Sequence, residues 1–96
     1  MPQSQLERKD RFTISPAVRS RQLDDELILL DMRGGEYFSL NASGASVWQG
    51  IERGLDMGAI DAELSANWPV ASDERWRLVT EIVGALLERG LLERRG

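Results

Sequence analysis

The segment Gly35-Glu36-Tyr37-Phe38-Ser39-Leu40-Asn41 predicts a change from strand to helix. Aromatic strand-forming residues lie in its middle. Asn41 stands where a helix N-cap is expected, because its side-chain oxygen can accept hydrogen bonds from the amides of the next turn. No catalytic arrangement accompanies this junction. The segment therefore predicts a docking edge rather than a reaction site.

A second apolar run, Leu27 to Leu30, lies upstream between two acidic residues. The connection between the runs contains Gly34 and Gly35, which adopt positive φ without a Cβ clash, so we predict that the runs pair as a hairpin. Because the upstream run does not alternate between polar and apolar residues, we expect it to be buried on both faces in the middle of a sheet. This leaves Glu36 to Leu40 nearer an edge.

The beginning of the chain predicts an arm followed by a weak strand. Residues 1–10 are polar and highly charged and offer only Leu6 for burial, so we expect a flexible N-terminal arm and a folded domain over residues 11–96. The stretch from Phe12 to Val18 resembles a strand, but Pro16 interrupts it and restricts it to a sheet edge.

Helical spacing of apolar residues begins directly after Asn41. It predicts a first helix over residues 42–53, ended by Gly54. Asp56 is expected to cap a second helix, which Pro69 stops. Three strands and then three helices predict an α+β fold, with a small antiparallel three-stranded sheet and a winged helix-turn-helix-like arrangement.

The third helix is expected to be the longest. Ser72 or Asp73 is its predicted cap, and it runs to about Arg89 before Gly90 closes it. Its apolar arc spans roughly 200°, whereas a surface helix needs little over 100°. The two halves of this arc are Leu78, Ile82, Ala85 and Leu86 on one side and Trp76, Val79, Val83 and Leu87 on the other. Either one half faces a groove, or both halves pack against the sheet and the first helix.

Composition excludes several functional classes. The chain has no cysteine and no histidine, so thiolate sites and the commonest general base are absent, and no metal or cofactor is predicted. Its 12 basic and 16 acidic residues give a net charge of -4, which opposes binding to nucleic acid. No apolar run approaches the roughly 20 residues of a membrane span, and the polar start is not a signal peptide. We expect a cytoplasmic protein.

The order of these elements closely resembles the PqqD family of peptide-recognition domains. The residues that carry the resemblance are, in chain order, Leu23-Asp24-Asp25-Glu26, Leu29-Leu30-Asp31, Gly35 to Asn41, Val47-Trp48, Ile60, Leu64, Trp68, Val79, Ile82-Val83, Leu86 and Arg89-Gly90-Leu91-Leu92. The resemblance implies a non-catalytic adaptor that binds the leader segment of a ribosomally synthesised precursor peptide and presents the core segment to modifying enzymes. In this family the leader lies as an added strand beside the last strand of the sheet and against the third helix.

Carried over by position, the peptide-binding residues fall in two groups. The edge consists of Glu36, Tyr37, Phe38, Ser39 and Leu40, and the opposing wall consists of Trp76, Val79 and Val83. Arg75, at the start of the third helix, is a candidate partner for an acidic group on the leader. Neighbouring side chains of a strand point to opposite faces, so one of Tyr37 and Phe38 anchors in the core and the other lines a pocket. The sequence does not decide which.

Two branches of the family are open. The sequence of the edge segment, Gly35 to Asn41, is similar to that of the stand-alone leader-binding proteins of lasso-peptide pathways. That branch implies a transglutaminase-like cysteine protease as leader peptidase, and an asparagine-synthetase-like cyclase, as partners. The alternative is a PqqD-type chaperone of pyrroloquinoline quinone biosynthesis, whose partner would be a radical enzyme with iron-sulfur clusters. We expect a monomer, although an exposed strand edge also permits dimers.

Two rival functions belong to other classes. A winged-helix DNA-binding regulator has the same helix order, but its third helix would carry Asp73, Glu74, Glu81 and Glu88 beside its arginines. A small carboxylate-based hydrolase would use the acids at Asp24 to Glu26, and such acids are more often a turn and a solvated flank.

Overall fold

The computed structural model describes residues 6–95, and these form an α+β fold in which a three-stranded antiparallel sheet is followed by three helices, as predicted. In chain order the elements are β1 (Phe12–Ile14), β2 (Val18–Leu23), β3 (Glu26–Asp31), β4 (Glu36–Leu40), α1 (Ala42–Glu52), α2 (Met57–Asn67), α3 (Ser72–Glu88) and β5 (Leu92–Arg94). Among the described residues, no helix is long and apolar enough to cross a membrane.

The larger sheet has the strand order β2-β3-β4. The central place of β3 and the edge position of β4 are confirmed. Burial of β3 on both faces is wrong, because Leu27 and Leu29 are buried whereas Ile28 and Leu30 are only half-buried. Since α1 packs against the side of the sheet that carries Leu29, the opposite side remains open within the described chain.

The third strand of this sheet is β2, not the predicted stretch from Phe12 to Val18. It pairs with β3 through a two-residue turn at Asp24-Asp25, where Asp24 has a φ of 51°, as hairpin turns of this length require. The earlier residues form β1, which pairs instead with β5 near the C-terminus, with Ile14 opposite Leu92. Pro16 lies in the turn between β1 and β2, where its missing amide costs no ladder hydrogen bond.

The helix caps explain two of the three helix starts. The Asn41 Oδ1 atom accepts from the amide of Gly44 at 3.0 Å, and the Asp56 Oδ1 atom accepts from the amide of Ala59 at 2.8 Å. Both predicted caps are confirmed. The expected cap of α3 is wrong, because Ser72 is already helical and the N-cap position is Ala71, which has no side-chain acceptor.

Residues 6–10 pack against the helices, so the prediction of a flexible arm does not hold for them. Leu6 is buried in the core, and the carbonyls of Arg8 and Asp10 accept hydrogen bonds from the amides of Gly58 and Met57. The first amides of a helix have no acceptor within the helix, so these two carbonyls pair with amides at the start of α2 that would otherwise lack a hydrogen bond. The remainder of the predicted arm, residues 1–5, lies outside the described residues.

Candidate functional site

The free edge of β4 is defined by the hydrogen-bond pattern of the sheet. The amide of Met32 bonds to the carbonyl of Ala17, its directly opposite residue, at 2.9 Å. Antiparallel pairs alternate between bonded and non-bonded, so the even-numbered residues of β3 bond to β2 and the odd-numbered residues bond to β4. The bonded partners on β4 are therefore residues 36, 38 and 40. The amides and carbonyls of Tyr37 and Ser39 point away from the sheet, toward the open edge.

A groove runs between this edge and α3. Its volume is about 370 Å³. The residues that line it are Phe38, Ser39, Leu40, Asn41, Gly44, Ile82, Ala85, Leu86, Arg89 and Leu91. Most of these side chains are apolar, and unpaired backbone groups stand at one rim. This combination is the one required to add a peptide strand and to accommodate its alternate side chains.

The register of the sheet decides between Tyr37 and Phe38. Phe38 lies opposite Leu29, on the side of the sheet that faces the helices, and it is half-buried in the groove. Tyr37 lies opposite Leu30 and its side chain is 72% exposed on the other side. Phe38 is thus the aromatic residue of the groove, and Tyr37 contributes only backbone groups to the same edge.

Arg89 gives the groove a positive end. Its guanidinium carbon lies 5.0 Å from the centre of the Phe38 ring, within the range of a cation–π contact. Among the described residues it has no carboxylate partner within salt-bridge distance. The residue also stands at the C-cap of α3, where the helix dipole favours a cation. A bound peptide would meet an aromatic surface and a free guanidinium at this point.

The turn between β3 and β4 is tied to the end of α3 by Arg33. Its guanidinium donates to both carboxylate oxygens of Asp31, at 2.9 and 2.8 Å, and to the carbonyl of Gly90 at 3.0 Å. The hydrogen bonds from Arg33 lower the pKa of Asp31 below its ordinary value. Because Gly90 follows the C-cap residue of α3 and Asp31 directly precedes the turn, this pair holds the two walls of the groove together at one end.

Two residues of the predicted wall do not reach the groove. Val79 and Val83 have no exposed surface and pack in the hydrophobic core with Trp48 and Leu29. The wall that faces β4 is the other half of the apolar arc, where Ile82, Ala85 and Leu86 lie. The expectation that Val79 and Val83 line an accessible groove is therefore corrected, because both side chains are enclosed in the core that α3 forms with α1 and the sheet.

Arg75 and Trp76 lie together at the start of α3 and not along β4. The Arg75 Nε atom bonds to the buried Asp61 carboxylate at 3.0 Å, and Arg8 reaches the same carboxylate at 3.1 Å. The guanidinium of Arg8 also lies 4.3 Å from the centre of the Trp76 ring. Arg75 thus has an internal partner, and Trp76 is partly covered by the N-terminal segment.

The sequence did not single out Ile82, Ala85 or Arg89 as groove residues. The over-wide arc of α3 did place Ile82 and Ala85 on a distinct half, which is the signal that could have identified them. Arg89 carried no signal of its own, since its role depends on how the end of α3 approaches Phe38. Of the predicted edge, Glu36 is exposed at the start of β4, and Phe38, Ser39 and Leu40 line the groove.

Comparison with known proteins gives three results. Residues 26–92 match the family model described as Coenzyme PQQ synthesis protein D (PqqD). The solved structure of TbiB1 in complex with the TbiA(beta) leader peptide is 33% identical, with a TM-score of 0.81, and the match covers 88% of this chain and 98% of that one. Lasso peptide synthetase B1 complexed with the leader peptide is 28% identical, with a TM-score of 0.79, covering 85% and 96%. No curated protein matches the sequence.

Proposed function

The chain belongs to the PqqD family, and from that premise we propose that it binds the leader segment of a ribosomally synthesised precursor peptide, as a fourth strand beside β4. The observation that carries the proposal is the coincidence of an open strand edge with an apolar groove on the same element. Tyr37 and Ser39 offer edge amides and carbonyls, while Phe38 and Leu40 turn their side chains into the groove. Backbone pairing then supplies affinity, and the groove selects side chains.

Lasso-peptide maturation is the pathway that the comparisons favour. Both similar solved structures are complexes with a leader peptide, and one of them is a lasso peptide synthetase B1. On this basis the protein is a non-catalytic adaptor that delivers the leader-bound precursor to a transglutaminase-like cysteine protease and an asparagine-synthetase-like cyclase. The family description leaves quinone-cofactor biosynthesis as the second candidate.

Arg89 adds a chemical preference to the groove. A free guanidinium beside an aromatic ring favours a leader whose bound segment places a carboxylate next to apolar side chains. The edge residues Glu36, Tyr37, Phe38, Ser39 and Leu40 are retained in this proposal. The proposed wall is changed to Ile82, Ala85, Leu86 and Arg89.

The experiment is a calorimetric titration with a synthetic leader peptide. Ala85 lines the groove but is exposed, so Ala85→Glu inserts a charged side chain into the groove without disturbing the core. We expect this variant to lose leader binding, because the longer side chain occupies the groove and its carboxylate, four residues before Arg89, competes for the guanidinium that the leader would meet. Ala62→Glu, at an exposed position of α2, is the matched control and should bind as the wild type does. Equal leader affinity of the two folded variants would contradict the groove assignment.

A further inference from the structure

Asn41 caps α1 and also lines the groove beside β4. As the cap, its side-chain oxygen Oδ1 accepts from the amide of Gly44 and from the hydroxyl of Ser43, both at 3.0 Å. The nitrogen of a carboxamide donates and does not accept, so these two bonds fix which end of the side chain faces the helix. The Nδ2 amino group is the end that remains for the groove.

This amino group is a free donor at the end of the groove nearest α1. No hydrogen bond joins it to another residue of the described chain, and the side chain is exposed to solvent. A peptide bound in the groove would displace the water that meets this group. The lost hydrogen bonds have to be replaced by an acceptor on the peptide, because a donor left without a partner in an interface weakens binding.

The backbone of Asn41 adds a second donor and no free acceptor. Its φ of -77° and ψ of -173° continue the extended conformation of β4, so its amide follows those of Tyr37 and Ser39 and faces the open edge. Its carbonyl accepts from the amide of Ala45 at 2.8 Å, inside α1. Tyr37 and Ser39 each offer one donor and one acceptor to an added strand, whereas Asn41 offers donors alone.

We propose that Asn41 is a leader-binding residue, whose backbone amide and Nδ2 group both donate to one backbone carbonyl of the leader where the pairing with β4 ends. The inference rests on the proposed function, because the added strand is what brings a peptide backbone along this edge. Arg89 then meets acidic side chains of the leader, and Asn41 meets its main chain. The same side chain that starts α1 thus marks the end of the leader strand.

Calorimetry with the synthetic leader tests this role on variants that keep the helix cap. Serine and aspartate are good N-caps, like asparagine. Asn41→Ser removes the amino group, so the leader affinity should fall about fivefold, as expected for one neutral hydrogen bond. Asn41→Asp turns a carboxylate oxygen toward the leader carbonyl, so the affinity should fall about tenfold or more. Asp56→Asn makes the reverse exchange at the cap of α2, outside the groove, and should bind as the wild type does.

A second measurement needs no variant. Asn41 and Asn67 are the only asparagines in the chain, and Asn67 is the last residue of α2, outside the groove. Heteronuclear NMR of the isotope-labelled wild type follows both side-chain amino groups during titration with the leader. The Asn41 amino protons should shift downfield and exchange more slowly with water, and those of Asn67 should stay unchanged.

The results separate this inference from the proposed function. If the wild type binds the leader but Asn41→Ser binds within about twofold of it, or if the Asn41 amino signals do not move, the role of Asn41 is overturned and the proposed function stands. If the loss in Asn41→Ser disappears with a leader whose acidic residues are replaced by alanine, the acceptor is a side-chain carboxylate, and pairing with the main chain is overturned. Absence of leader binding by the wild type would instead contradict the proposed function.

Discussion

Replacing Ser39 by proline tests the strand-addition geometry at a single atom. The amide of Ser39 points toward the open edge, since the bonded partners of β3 are residues 36, 38 and 40. Proline removes that amide and places a ring at the edge, while the ladder between β3 and β4 keeps all its hydrogen bonds. The side chain loses only its hydroxyl bond to Glu26, which is exposed.

The expected loss of leader affinity follows from one missing hydrogen-bond donor, the amide of residue 39. A net hydrogen bond contributes about 1 kcal/mol, and a leader carbonyl left without a partner in the interface costs about as much again. The total of about 2 kcal/mol corresponds to a roughly 30-fold weaker leader affinity. Stability should change by less than about 1 kcal/mol, because edge strands tolerate proline on their free side.

Ser39→Ala is the matched control, because it removes the hydroxyl and keeps the amide. Calorimetry with the synthetic leader should give near wild-type affinity for Ser39→Ala and the weaker affinity for Ser39→Pro. Thermal unfolding of both variants verifies the fold. The reasoning fails if folded Ser39→Pro binds the leader within about twofold of Ser39→Ala, since the amide would then not pair with the peptide.

Two further predictions concern stability. Asp61→Ala should lower the free energy of unfolding in urea by about 3 kcal/mol, because it leaves the Arg75 guanidinium, whose side chain is only 13% exposed, without its carboxylate partner. Arg8→Ala removes the exposed partner of the same carboxylate and should cost about 1 kcal/mol. Equal losses in the two variants would contradict this difference. Arg33 holds the pKa of Asp31 in the folded protein below its ordinary value of 3.8. The contribution of the Asp31–Arg33 pair to the free energy of unfolding is therefore fully present above pH 3.8, and it is lost as the pH falls through the lower pKa of the folded state. The difference in unfolding free energy between wild type and Asp31→Asn should therefore be constant from pH 7 to about 5 and shrink below about 4, and a difference independent of pH down to about 2 would refute it.

Local chemistry in the sequence was sufficient for the hairpin of β3 and β4 and for the first two helices. Gly35 has a φ of 75° in the turn, and Asn41 and Asp56 cap their helices, so each of these elements is determined by residues within it. β2 was missed because its residues are mostly polar and exposed, and it is held by pairing with β3 rather than by an apolar pattern of its own. Long-range pairing of this kind leaves little local signal.

The orientation of α3 could not be derived from its sequence. Both halves of its apolar arc are suitable for a core, and the choice depends on which half meets Trp48 and the sheet. Val79, Val83 and Leu86 are buried, so Ile82 and Ala85 turn toward β4. The contact between Arg8 and Asp61 has a similar origin, since it joins residues far apart in the chain that only the folded structure brings together.

Sheet register, rather than residue type, assigns the two aromatic residues of β4 to different surfaces. A slip of one residue would exchange the faces of Tyr37 and Phe38, because side chains alternate along a strand. The register is held at both ends of β3: by the two-residue turn at Asp24-Asp25, and by Arg33, which joins Asp31 to the carbonyl of Gly90. Residues outside the groove thus determine which aromatic ring lies inside it. Consequently, changes at Arg33 should alter leader binding without any contact between Arg33 and the peptide.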